Sequence, residues 1–207
     1  MIHKILKLAL LISLLIVSAG FNQQMKTANE DTTSPAGPVH HLNENDFILD
    51  WIVAGPFPNQ PTDEPLPDGT RQRGFYTDYL VAIGGENKAV LTEQAAIIYQ
   101  DEQNKLHSIK PQKTKANDAG IIDFEKIFGQ IDHKVAYAFC YIYSDADQEA
   151  HFLFGSDDGA KVWINGKQVH FIDEGRALSF RQDHFHANLT KGYNTILIKV
   201  SEWVRDW

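Results

Sequence analysis

From residue 134 onward the chain is a succession of strand-length runs cut by tight turns, and that pattern leaves room for little but an all-β fold. Residues 135–143 alternate small and aromatic side chains, as a strand with two different faces requires. Asp145-Ala146-Asp147 turns the chain into residues 151–154. Residues 161–164 then meet Asn165-Gly166, a pair that tolerates positive φ at both positions and so marks a two-residue hairpin, with 167–170 as the return strand. Residues 183–189 and 195–200 flank Lys191-Gly192 and read as another antiparallel pair. Many short strands with close-set turns predict an antiparallel β-sandwich of the jelly-roll kind.

Upstream the pattern thins. Residues 47–53 are β-branched and aromatic enough for a strand, and Gly55-Pro56 should stop it. A proline-broken loop follows through Pro67-Asp68-Gly69. Residues 76–83 predict a short helix ending at Gly84-Gly85, and residues 124–128 a single helical turn. Residues 96–99 and 106–109 predict a hairpin around 101–104.

The amino terminus addresses the compartment. Lys4 and Lys7 precede an apolar run over 8–17, with Ser18-Ala19-Gly20 after it. That order predicts a secretory signal peptide over residues 1–20 and a secreted or periplasmic protein. The run is half the roughly 20 residues a membrane span needs, so no membrane association beyond the signal peptide is expected. Residues 21–43 are mostly polar and predict a flexible linker ahead of a domain over 44–207. Losing residues 1–20 removes Lys4 and Lys7 and no acid, which takes the formal net charge from −8 to −10. Such a chain lacks the basic surface that neutralises phosphates, so no nucleic-acid partner is expected. Its single cysteine, Cys140, forms no intrachain disulfide and sits in an apolar run that predicts a buried, inert thiol.

Residues 151–166, with Gly155-Ser156-Asp157-Asp158-Gly159 and Trp163-Ile164-Asn165-Gly166, resemble the signature of the protective-antigen-type lectin domain. They resemble more closely a jelly-roll accessory module of secreted bacterial hydrolases, which is galactose-binding-like in fold. The likeness extends through residues 51–59, Asp78-Tyr79-Leu80, Gly84-Gly85-Glu86 and residues 189–200. It implies a non-catalytic carbohydrate-binding or accessory module with a glycan or polysaccharide partner and an appended hydrolase domain. Modules of this kind continue with a further strand, so the resemblance also implies chain beyond Trp207.

The resemblance directs attention to Asp157 and Asp158, which supply hard oxygens for Ca²⁺ and thereby hold sugar hydroxyls; their plainer role is to satisfy local amides in a turn. Trp163 offers an indole for stacking on a sugar if Val162 and Ile164 point inward, against a plainer role in packing. Asn165, Arg176 and Arg181 complete the expected carbohydrate-binding set, although the two arginines can equally pair with Asp173, Glu174 or Asp183.

Two readings of other kinds stand beside this one. A purely structural domain would pack on a downstream hydrolase and bind no sugar. A cupin-like metal enzyme would use His184 and His186, which share one face of a strand, together with His170 or Glu174. The chain carries no Gly-x-Ser-x-Gly elbow, phosphate loop or His-Glu-x-x-His helix.

Overall fold

A computed structural model describes residues 13–15, 34–42, 46–60, 73–101 and 103–203. The strands are β1 (Ser13–Leu15), β2 (Val39–His41), β3 (Asp50–Pro58), β4 (Ile97–Gln100), β5 (Leu106–Ile109), β6 (Gln112–Lys115), β7 (Lys134–Ser144), β8 (Gln148–Phe154), β9 (Ala160–Ile164), β10 (Lys167–Ile172), β11 (Asp183–Leu189) and β12 (Gly192–Glu202). Two short helices, α1 (Arg73–Tyr76) and α2 (Phe124–Phe128), and a 3₁₀ turn at Val81–Ile83 complete the set. Strand outweighs helix by 47% to 7%, so the molecule is an all-β antiparallel sandwich. Apart from Ser13–Leu15, the predicted signal peptide lies outside the described residues.

A large sheet runs in the order β10-β9-β12-β7-β3-β6, with β2 added parallel to the end of β7. A small sheet, β1-β8-β11, lies against one of its faces. Between them sits the main core: Val53, Ala138, Cys140, Val162, Ile196 and Ile198 from the large sheet meet Phe152, Phe154, Phe185 and Leu189 from the small one. Cys140 is fully buried in it, and burial pushes its thiol well above the ordinary range. The opposite face of the large sheet is covered by the segment from Phe75 to Ile97, which packs Phe75, Tyr79, Leu80 and Leu91 against Phe57, Tyr137, Phe139, Trp163 and Leu197. Both faces of β9 and β12 are therefore buried, which explains why they read as nearly continuous apolar runs.

Four expectations need correction. β11 and β12 do not pair with each other: β11 pairs β8, while β12 pairs β7 and β9. The chain crosses between sheets at Thr190-Lys191, and buried Asn194 holds the crossing by donating to the carbonyls of Thr190 and Gly192 and accepting from the Thr190 amide. β3 runs through Gly55-Pro56 to Pro58, because a register shift between Ala54 and Phe57 absorbs the proline's missing donor. The predicted 76–83 helix is two separate turns, α1 and the 3₁₀ turn, the latter closed by left-handed Gly84. The domain begins before residue 44, since β2 lies within the predicted linker and pairs Val39 with Tyr141.

Candidate functional site

Five of the six residues expected to bind sugar lie on β9 or at one of its ends. Asp157, Asp158 and Arg176 lie before the strand and Asn165 after it; at ~3.3 Å per residue that is roughly 20 Å apart, too far for one shallow site.

At the first end the side chains are spent on one another. Asp158 Oδ1 accepts from the Arg176 amide at 2.8 Å and Oδ2 from the Trp203 amide at 2.8 Å. Asp157 Oδ2 accepts from Leu178 N at 3.4 Å. Burial pushes the Asp158 carboxyl up, against the pull of those two amides and of Arg176. Arg176 forks onto Asp183, with Nη1 to Oδ1 at 2.8 Å, and donates also to Ser156 Oγ and the Asp158 carbonyl. This is the plainer role realised: a latch that fastens the 156–159 and 173–178 loops to the end of β12. Glu202, the last residue of β12, brings its carboxylate within 4.8 Å of those of Asp157 and Asp158. Nothing in the sequence spacing singled it out.

At the other end, Trp163 is on the face opposite Val162 and Ile164 as alternation demands, but that face is covered. The residue is 6% exposed and packs in the second core, so only an edge of it faces the small cleft of about 210 Å³ that it lines with Asn165 and Thr195, and little of the ring is open for stacking. Asn165 serves the hairpin: its Nδ2 donates to Asn194 Oδ1 at 2.7 Å, and its Oδ1 accepts from Thr195 N at 2.9 Å.

A buried polar group that sequence reasoning passed over lies under the Phe75–Ile97 segment. Lys199 Nζ donates to Glu86 Oε1 at 2.8 Å and to the Thr77 carbonyl at 2.6 Å, and the Tyr137 hydroxyl donates to the same Glu86 oxygen at 2.6 Å. Burial lowers the Lys199 ammonium to about 8 against the opposing pull of Glu86, and burial with Glu86 raises the Tyr137 phenol well above its usual range. The signal was a lysine inside an apolar run. Enclosed as it is, the group clamps the covering segment to the sheet.

Open aromatic surface occurs elsewhere. Tyr141 and Tyr143 share the outer face of β7; Tyr141 packs on the edge of the second core beside Phe139, with ring centroids 5.1 Å apart, and Tyr193 of β12 lies opposite Tyr143. Ring centroids are 5.1 Å apart for Tyr143–Tyr193, 6.4 Å for Tyr141–Tyr193 and 5.2 Å for His41–Tyr143. Tyr193 is 38% exposed and Tyr143 half-buried. His41 also lines a cleft of about 430 Å³ with His40, Asp46, Asp50, Asp118 and Phe47. On its far side Phe47 meets exposed Phe180 edge-on at 6.3 Å, and Arg181 stacks over Phe180 at 4.8 Å. Of the six expected residues, Arg181 connects to this cleft through Phe180, which meets Phe47. The strip was legible only as alternation within 135–143; that its outer end would stay uncovered depends on where the covering segment stops.

His170, considered as a metal ligand with His184 and His186, points to the core side, stacked on Phe185 at 5.3 Å with Nε2 3.3 Å from Asp183 Oδ2. His184 and His186 are on the opposite, exposed face of β11, so His170 cannot join them.

No protein-family model, curated protein or solved structure matches this chain.

Proposed function

We propose that this domain is an exported, non-catalytic carbohydrate-binding module that serves as an accessory unit to a hydrolase. The observation that carries the reading is the half-open strip of Tyr141, Tyr143, Tyr193 and His41 beside a cleft furnished with Asp46, Asp50 and Asp118. Aromatic faces take the C–H faces of a pyranose, and carboxylates and imidazoles take its hydroxyls. The acidic cleft and a net charge of −8 favour a neutral glycan over an anionic one. Gel retardation of the chain in a panel of neutral polysaccharides tests this. One glycan should retard the wild type, and Tyr143→Ala with Tyr193→Ala should abolish the retardation. No retardation by any glycan, from folded protein, would leave the purely structural domain as the function; retardation indifferent to both tyrosines would move the site elsewhere.

Calcium belongs to the latch. Asp157, Asp158 and Glu202 are buried carboxylates, and their donor type and charge fit a hard cation. These three would hold the ion, which would neutralise the loop end without touching the tyrosine strip. Calcium should then raise Tm, a chelator should reverse the rise, and Asp157→Asn should abolish it. A Tm indifferent to calcium and chelator would remove the ion from the account.

A further inference from the structure

The outer face of the small sheet carries a group of side chains that neither the core nor the sugar-binding strip uses. β8 and β11 pair so that His186 lies directly opposite His151, with His184 two residues along on the same face. Phe152, Phe185 and Ala187 between them point into the main core, so alternation fixes the three imidazoles outward. His184 and His186 are exposed and His151 half-buried. The His151 and His186 rings lie 4.5 Å apart and nearly parallel at 3°, and His151 and His184 lie 5.5 Å apart at 26°. Glu149, also on β8, places Oε2 3.6 Å from His186 Nδ1.

We propose that His151, His184 and His186 form a binding site for a late first-row divalent cation, Zn²⁺ being the reference ion. The chemistry of the set selects that class: neutral imidazole suits zinc, copper and nickel, whereas calcium takes oxygen ligands. Three nitrogens around one ion at Zn–N ~2.0–2.1 Å stand roughly 3.3 Å from one another. The stacked rings do not yet converge on such a point. Their α-carbons are fixed by the ladder, however, and His184 and His186 are exposed, so their side chains are free to turn toward His151. Glu149 is placed either to hydrogen-bond the second nitrogen of His186 or to become a fourth ligand. The site is separate from the proposed sugar surface, and neither depends on the other.

The test is titration of the untagged chain, dialysed against chelator, with ZnCl₂ alone, followed by calorimetry, with CaCl₂ as a competitor. The expected result is about one zinc ion per chain that calcium does not displace, with affinity falling at least about tenfold in His151→Ala and in His184→Ala. His184 is exposed and His151 lies outside both cores, so these variants should keep the wild-type melting temperature in chelator, which separates lost ligation from lost fold. Absence of zinc binding by the wild type would overturn the proposal. So would zinc binding unchanged in His151→Ala, which would place the ion on His40 and His41 or another pair.

Discussion

Lys199 shows how one residue can hold a layer in place. Its ammonium is fully buried in the strand at the centre of the large sheet, and its partners Thr77 and Glu86 both belong to the segment that covers the second core. Removing one member of a buried ion pair leaves the other charge unmatched, which costs about 3–5 kcal/mol, while replacing both with apolar groups is far cheaper. Lys199→Met should therefore cost that order of stability in urea unfolding, and Lys199→Met with Glu86→Leu should recover most of it. An unchanged midpoint in the single variant would mean that the pair does not clamp the segment. The contrast with Arg176 is instructive. Lys199 stands in an apolar run and Arg176 beside Asp173 and Glu174, but whether the Arg176 fork meets Asp183 or reaches a ligand depends on contacts that sequence spacing does not encode.

Among the elements, the β9–β10 hairpin depends most on its turn. Asn165 and Gly166 take φ of 49° and 75°, as their residue types predicted. Gly166 has a second constraint: a β-carbon there would collide with the Asn87 carbonyl, whereas one on Gly192, at φ 98°, would meet nothing within 4 Å. Gly166→Ala should consequently destabilise more than Gly192→Ala, by about 1–3 kcal/mol in denaturant melts. Equal losses would show that backbone conformation alone matters at both positions. Elements with a strong local cause were legible in this way: the Asn165-Gly166 hairpin, the β4–β5 hairpin, and α2, capped by Asp123 on the Lys126 amide. β6 was not, because Gln112-Lys113-Thr114-Lys115 has no apolar face and is a strand only through its pairing with β3. The β11–β12 partnership was misread for the complementary reason. Nearness in sequence favours a hairpin, but each strand has an apolar face that the opposite sheets bury, and Asn194 stabilises the crossing.

At the scale of the molecule, burial of histidine couples the fold to pH. Burial lowers His40 despite Asp46 and Asp50, with His41 adding to the effect; burial lowers His170 despite Asp183, with Arg176 adding to it. Between pH 7 and about 5.5 the unfolded chain takes up protons at these sites that the folded chain does not, so their stabilisation is present above the unfolded value of about 6.5 and is lost as pH falls through the lowered folded values. Asp158, pushed up by burial, acts with the opposite sign nearer the carboxylate range, below that window. The urea midpoint should fall from pH 7.5 to 5.5, and a rise would contradict the assignment. The sandwich itself was legible from the density of strands and turns. The location of the proposed sugar surface was not, because Trp163 and Tyr143 are both aromatic residues on alternating strands, and only the extent of the covering segment decides which is the more exposed. The proposed binding surface thus rests on Tyr143 rather than Trp163. It is tested most directly by aromatic NMR of the whole chain titrated with oligomers of neutral glycans. One oligomer should shift the ring signals of Tyr143, Tyr193 and His41 while Trp163 stays unmoved; shifts centred on Trp163, or no shifts with any oligomer, would rule the tyrosine strip out as the binding surface.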